Sequence, residues 1–305
     1  MTIIVPASAD RSRLDVFLVG ELGIPRARIQ AHIKDGGVTR NGSPLTPHAA
    51  VREGDMLEVA DVPETKAVKR GPAPTLDILY EDDDLLVINK PAGTLVHAAH
   101  ATDRTPTIAD AVLKHVPSVK GVGEPGRFGI VHRLDKDVSG VMLVAKTSEE
   151  FERLKRAFAD RSIGKEYRAL VYGKLPKDHD VITLRIARSK AKRRMVARPE
   201  GQEGKEAHTE YDVIERFKTT TLAKVVIKTG RTHQIRTHFR AIDHPVVGDK
   251  LYAKTRMKNI RPIPMTRLFL HARQLDVPMK DGTMRTFEAP IPAELTELLK
   301  TLPSR

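Results

Sequence analysis

Residues 129–140 read GIVHRLDKDVSG. They place one carboxylate, that of Asp135, in a polar turn between two apolar runs, residues 128–131 and 141–145. Both runs have the composition of strands, and the polar residues between them are typical of a tight connection. An Asp in such a turn often only caps the backbone, because its side chain accepts hydrogen bonds from nearby N–H groups. The alternative is that rigid strands present Asp135 as a catalytic group on a loop.

The composition of the chain favours a nucleic-acid partner. Its 305 residues suffice for one large and one small domain, and they carry a formal net charge of +13, which suits a polyanion. The absence of Cys excludes disulfides and thiolate metal sites, and it fits a reducing cytoplasm. The N-terminus lacks the features of a signal peptide, and no apolar run approaches the roughly 18 residues that span a bilayer. We therefore expect a cytoplasmic protein that has no membrane partner.

Residues 1–62 are predicted to form a small separate module. Apolar residues at helical spacing between Leu14 and Leu22 predict a helix that ends at Gly23, and Pro25 can open a second helix. An Asn-Gly turn and further short strands follow. The pattern therefore predicts a compact unit of two helices and a few strands.

The rest of the chain predicts a second, larger domain. Residues 63–75 contain three prolines and no apolar periodicity, which is typical of a linker. Residues 76–305 contain many strand patterns, including one expected at 181–186, and few helices, the clearest at 107–116 and 148–159. Such a series indicates an α+β fold with a mixed, largely antiparallel central sheet.

Several motifs of the chain are similar to those of a known family. Residues 132–140, HRLDKDVSG, resemble the catalytic segment of the RluA family of pseudouridine synthases. Three further segments match motifs of that family in the family's order: KEYRALVYG at 165–173, TGRTHQIRTH at 229–238 and RLFLHA at 267–272. Residues 1–62 resemble the S4 RNA-binding domain. The resemblance covers nearly the whole chain and implies an isomerase, an RNA pseudouridine synthase.

The resemblance also implies roles for particular residues. Asp135 would be the catalytic residue, Tyr167 would lie against the target base, and Leu270 would belong to the wall of the uracil pocket. Arg236 would pair with Asp135, and a guanidinium within a few ångströms keeps a carboxylate ionised and oriented. The sequence departs from the usual pattern at Val138, where family members usually have Thr, so one hydrogen bond of the turn is expected to be missing.

The reaction implied by the resemblance needs no cofactor. It breaks the glycosidic bond of uridine and joins C5 of the base to C1′, without redox change or phosphate transfer. The sugar develops positive charge as such a bond breaks. An ionised Asp135 could stabilise that charge, attack C1′ or remove the C2′ proton, and the sequence leaves all three open. No metal is expected either, because the histidines are scattered and no Cys can assist them.

Basic residues outside the motifs' core are predicted to contact RNA. Arg133 could fill the space left by an everted nucleotide or contact a phosphate, and the dense basic run at 185–198 suits a phosphate-tracking arm. The alternative for these charges is an ordinary solvated face. The predicted contacts are Arg133, His132 and Arg231 beside the pocket, Arg193 and Arg194 in the basic run, and Arg26, Arg28 and Arg40 in the module.

The favoured substrate is large-subunit (23S) ribosomal RNA. The S4-like module and the basic run look closest to the RluD branch of the family, which acts on that RNA. Transfer RNA is the alternative substrate for an enzyme. A non-catalytic RNA-binding or ribosome-assembly factor that kept the fold is the alternative of a different class. We expect the protein to act as a monomer.

Overall fold

The computed structural model describes residues 1–62, 71–98, 103–124, 126–189, 191, 194–253 and 262–303. Residues 63–70, which make up most of the predicted linker, lie outside the described residues. The described chain contains two sheets of four and nine strands and a separate two-stranded hairpin. No helix in these ranges is long and apolar enough to cross a membrane.

The first 62 residues fold around a four-stranded sheet. Its strands run in the order β1-β4-β2-β3, and apolar residues from both helices and from the sheet form one core cluster. Gly23 adopts a left-handed conformation (φ 62°) after the first helix, as expected for a helix-ending glycine. The elements are β1 (Thr2–Ile4), α1 (Leu14–Leu22), α2 (Arg26–Lys34), β2 (Val38–Arg40), β3 (Ser43–Pro44) and β4 (Met56–Val59).

The larger part of the chain contains eleven further strands and four further helices among its described residues. Two of the helices begin at threonines, since the side chains of Thr107 and Thr147 accept hydrogen bonds from backbone N–H groups of the first turn. The elements are β5 (Ile78–Glu81), β6 (Leu85–Lys90), α3 (Ile108–His115), β7 (Ser139–Ala145), α4 (Ser148–Ala159), β8 (Gly164–Tyr172), β9 (His179–Ile182), β10 (Arg185–Ser189), β11 (Arg194–Arg198), β12 (Thr209–Arg216), β13 (Thr220–Ile227), α5 (Gln234–Ala241), β14 (Leu270–Pro278), β15 (Met284–Glu288) and α6 (Ala293–Thr301).

The nine-stranded sheet has the order β5-β6-β7-β14-β8-β13-β12-β9, and β15 pairs with the far end of β14. All of the strand pairs described in it are antiparallel except β7–β14. The predicted α+β fold with a mixed, largely antiparallel sheet is therefore confirmed.

The parallel pair β7–β14 lies at the centre of the sheet and depends on close backbone approach. Its register pairs Ser139 with His271 and Gly140 with Ala272. A Cβ on Gly140 would lie 2.0 Å from the carbonyl oxygen of Ala272, and the φ of Gly140 is 124°. Only glycine fits this position without displacing one strand from the other.

Two local predictions were wrong. Residues 128–131 do not form a strand, because Phe128 and Gly129 have positive φ and only Ile130 makes an isolated bridge to Val144. Residues 181–186 do not form one strand, because β9 pairs with β12 in the large sheet whereas β10 pairs with β11 in the hairpin. In both places the apolar composition suggested one continuous strand. Backbone conformation prevents it in the first place, and a change of pairing partner in the second.

Candidate active site

Asp135 lies in the loop that leads into β7. Its backbone carbonyl accepts a hydrogen bond from the N–H of Val138 at 3.1 Å, which closes the turn. Its carboxylate is directed elsewhere, since Oδ2 accepts from Nη1 of Arg236 at 3.0 Å and the side chain keeps 18% of its surface exposed. The carboxylate therefore does not serve as the cap of its own turn.

A buried lysine holds this loop in place. Nζ of Lys90, at the end of β6, donates to the backbone carbonyls of Pro91 and Thr94 at 2.8 Å and of Lys136 at 3.0 Å. The N–H of Gly93 also donates to the Lys136 carbonyl, at 2.8 Å. Because Lys90 is fully buried, its pKa is lowered to about 7. Lys90 was not predicted as a site residue, although a lysine that closes an apolar strand pattern is a recognisable signal.

His132 positions the same loop from the other side. Its Nε2 accepts a hydrogen bond from the N–H of Leu143 at 2.9 Å, and its ring packs against Phe158 with the centroids 4.7 Å apart. Burial lowers the pKa of His132 to about 3, so the ring is neutral at physiological pH. The ring nitrogen Nε2 is therefore already used by the backbone of β7, and a contact of His132 with RNA stays a prediction.

Arg236 is held by two carboxylates at once. Asp249 accepts from its Nε at 2.7 Å and from its Nη2 at 3.0 Å, which leaves Nη1 for Asp135. Asp249 is itself fixed, because its Oδ1 also accepts the N–H groups of Leu251 and Tyr252 at 3.0 Å. Burial disfavours the charge on Arg236, but the two carboxylates outweigh it and raise its pKa above the usual value.

The motifs of the sequence gave Asp249 no role, and in the structure it is the orienting partner of Arg236. Nothing in the chain spacing alone would have separated it from Asp243, since both acids follow α5 closely. A fork-shaped pair of hydrogen bonds fixes a guanidinium in one plane, so the third nitrogen reaches Asp135 with a defined geometry.

Asp135 and Arg236 face a cavity of about 100 Å³. Tyr167 from β8 and Leu270 from β14 form part of its wall, as the resemblance implies, and Val138 contributes an apolar side chain. Burial, together with the nearby charge of Asp135, raises the pKa of the Tyr167 phenol, so that it stays neutral. The cavity therefore combines one oriented carboxylate with flat and apolar walls, which suits a planar, uncharged group.

Basic side chains surround the opening of this cavity. Arg133 is exposed on its rim. Arg231 also lines it and donates from Nε to the carbonyl of Glu206 at 2.9 Å. Nε2 of His233 lies 3.7 Å from Oδ2 of Asp135, although this histidine was not predicted as a site residue. Burial lowers the pKa of His233 despite the nearby carboxylate of Asp135.

One of the two residues predicted in the basic run, Arg194, has contacts within the protein. Arg194 lies on β11, but its guanidinium stacks 5.2 Å from the ring centre of Tyr252 and donates to the carbonyl of Leu251. Arg236 covers the same ring at 5.1 Å. Arg194 therefore joins the hairpin to the Asp249 loop, and this contact limits its freedom to track a phosphate. Arg193 lies outside the described residues.

The predicted basic face of the N-terminal module is partly used for ion pairs. Arg26 donates to Asp15 at 2.9 Å, and Arg40 donates to Asp55 at 2.6 Å. Arg28 lies half-buried on the same helix as Arg26. The sequence could not show these pairings, because they form between different segments of the module, across 11 and 15 residues of chain.

Within the described ranges, no group of three or more His, Cys, Asp or Glu side chains is arranged to hold a metal ion. The site itself offers a carboxylate fixed by a guanidinium, a neutral phenol beside it, and cations around the entrance.

Comparisons with known proteins give matches over most of the chain. The family model described as RNA pseudouridylate synthase matches residues 84–241, and the model of the S4 domain matches residues 12–57. An uncharacterized RNA pseudouridine synthase of Bacillus subtilis, YlyB, is 37% identical over 95% of this chain and 94% of its own length. The ribosomal large subunit pseudouridine synthase D of Pseudomonas aeruginosa is 38% identical over 91% of this chain and 87% of its own.

A solved structure shares the fold. The human RNA pseudouridylate synthase domain containing 1 is 25% identical and has a TM-score of 0.58, and the match covers 78% of this chain and 99% of that one.

Proposed function

Because this chain belongs to the RNA pseudouridylate synthase family, and is thus an isomerase that acts on RNA, we propose that Asp135 carries its chemistry and that large-subunit ribosomal RNA is its substrate. The observation that supports the first part is the 3.0 Å hydrogen bond from Arg236 to an Asp135 carboxylate that faces a cavity. The second part rests on relatives named for that RNA, which match nearly the whole chain.

The reaction proceeds through three changes at the target uridine. The bond from N1 to C1′ breaks, the uracil turns within the cavity, and C5 bonds to C1′. The proton on C5 is then lost, and N1 carries a proton in the product, so no atom is gained or lost overall. Because positive charge develops on the sugar, an ionised carboxylate beside C1′ lowers the barrier. Asp135 can do this by charge stabilisation, by attack on C1′ or by removal of the C2′ proton.

The uridine must leave its stack to reach Asp135. Such eversion costs a few kcal/mol of unstacking, which protein contacts have to offset. Tyr167 offers a neutral ring against which the uracil can lie, and Leu270 offers an apolar contact on another wall. Arg133, exposed at the rim, is suited to occupy the vacated space or to bind a phosphate.

The N-terminal module supplies a second contact with RNA, in keeping with its match to the S4 domain. We propose that residues 1–62 form the RNA-binding module, residues 63–75 the linker and residues 76–305 the catalytic domain. The module then holds the RNA for the catalytic domain. The net charge of +13 favours this association. We also propose that the protein acts as a monomer in the cytoplasm, a location that an RNA substrate and a chain free of Cys support.

The test of the proposed function is pseudouridine mapping across all RNAs of cells with and without the gene. We expect one or more pseudouridines in large-subunit ribosomal RNA to disappear with the gene and to return with the wild-type copy. Loss confined to transfer RNA would replace the proposed substrate by the alternative one. An unchanged map, with the RNA still bound by the protein, would favour the non-catalytic assembly factor.

A further inference from the structure

A second cleft, of about 420 Å³, adjoins the catalytic cavity. The two share Arg133, Tyr167 and Arg231 in their walls. The cleft is rich in cations, and no carboxylate occurs among the described residues that line it. The basic residues in its lining are Arg127, Arg133, Arg161, Lys165, Lys228 and Arg231.

Lys165 is the unusual member of this set, because it is buried. It lies on β8 two residues before Tyr167, so both side chains point to the same face of the sheet. Only 8% of its surface is exposed, yet the one hydrogen bond described for its Nζ is a long contact of 3.4 Å to the carbonyl of Ile163. An ammonium group has three donors, and a buried one is normally paired with an anion.

The surroundings of Lys165 make an anionic ligand favourable. Its Nζ lies 5.7 Å from the ring centre of Phe158, which gives weak compensation for its charge. Burial, and secondarily the charges of Arg161 and Lys228, lower the pKa of Lys165. A bound anion would offset the free-energy cost of the buried positive charge of Lys165. The cations at the rim would help to bind that anion.

We propose that this cleft binds a phosphodiester group of the RNA strand next to the everted uridine, with Lys165 as the buried contact and Arg161 and Lys228 at its rim. The continuity of the cleft with the catalytic cavity through Arg133 and Tyr167 favours the target strand itself over a distant RNA segment or a protein carboxylate. The subsite rests on the proposed function and deepens it. It fixes the strand by its phosphate, so that one particular nucleotide faces Asp135.

The first test measures the salt dependence of RNA binding. The probe is a transcript of the large-subunit ribosomal RNA from the same genome, and the variants are Lys165→Met, Arg161→Gln and Lys228→Gln. Each lost phosphate contact should reduce the slope of log affinity against log salt by about 0.7 and weaken binding on the order of tenfold at low salt. Arg161 and Lys228 are exposed, so their variants test the subsite even if Lys165→Met folds poorly. Lys155→Met, on α4 and paired with Glu152, is the matched control and should change neither quantity.

The second test removes the charge from the RNA. Short RNAs around a mapped target uridine carry a neutral methylphosphonate at one of the linkages on either side of it. At one of these linkages the methylphosphonate should weaken RNA binding by wild type. It should leave binding by Lys165→Met unchanged, because the lysine that contacts this phosphate is already absent. Equal losses in wild type and variant at every linkage, or an unaltered salt slope in all three variants, would overturn the subsite. Turnover by wild type in the same assay reports on the proposed function separately, so the two failures are distinguishable.

Discussion

Arg236 shows how a single residue is placed by partners that are far apart in the chain. Two of its nitrogens are held by Asp249, and the third reaches Asp135 at 3.0 Å. Lys90 fixes the backbone of the loop that carries Asp135, through the carbonyl of Lys136. The carboxylate and the guanidinium are therefore positioned independently before they meet, which is a form of preorganisation.

We expect Arg236→Lys to lower turnover by about 100-fold while RNA binding changes little. Lysine keeps the positive charge but lacks the fork that engages Asp249 and Asp135 together, and misplacement of a catalytic group by about 1 Å can have an effect of this size. Single-turnover rates at saturating enzyme measure it. Arg240→Lys, on the same helix and paired with exposed Asp243, is the control. A rate within threefold of wild type would show that charge alone suffices.

The sequence predicted four side chains that line the cavity, but not the residues that hold these side chains in place. Asp135, Tyr167, Arg236 and Leu270 belong to motifs whose resemblance to a family carries roles with it, and the structure brings all four to one cavity. The roles of Asp249, Lys90 and His132 depend on contacts between separate elements and loops of the fold. The spacing of residues along the chain does not predict such contacts.

Among the elements, β7 and β14 decide the shape of the site. β7 follows the Asp135 loop directly, and β14 begins with Leu270, so the parallel pair between them sets the distance across the cavity. Periodicity predicted the helices at 107–116 and 148–159, which match α3 and α4 to within one residue. The strand predictions failed at 128–131 and 181–186, where positive φ values or a change of pairing partner break an apolar pattern.

Gly140→Ala is expected to destabilise the catalytic domain by about 1–3 kcal/mol or more and to lower activity further than stability alone explains. The added methyl would meet the Ala272 carbonyl oxygen at 2.0 Å and force β7 away from β14. Urea unfolding and turnover of the folded fraction measure the two effects. Gly121→Ala is the control, since its Cβ would meet nothing within 4 Å. Equal midpoints for the two variants would contradict the close approach.

For the molecule as a whole, stability is linked to buried histidines. His238 and His271 are fully buried, and each ring bonds to a hydroxyl and to a backbone carbonyl. Burial lowers the pKa of each to about 4, whereas an exposed histidine of the unfolded chain titrates near 6.5. The unfolded state therefore binds more protons between these values, and stability falls as the pH falls through that window.

Each of the two histidines should contribute up to about 1.4 kcal/mol of lost stability per pH unit between pH 6.5 and 4, and nothing above pH 6.5. Urea unfolding at pH 7.5 and 5 measures this loss. His271→Gln should show a smaller loss on acidification than wild type, and His179→Gln, at an exposed position, should match wild type. If His271→Gln retains the full acid sensitivity, the buried neutral imidazole does not contribute to it.

The claim on which everything else depends is that the Asp135 carboxylate acts on the everted uridine. Single-turnover formation of pseudouridine by Asp135→Asn, with RNA binding measured in parallel, tests it most directly. The amide keeps the shape of the side chain and can still accept from Arg236, but it carries no charge. We predict undiminished RNA affinity and a loss of turnover on the order of 10³-fold or more. Turnover within tenfold of wild type would contradict the account.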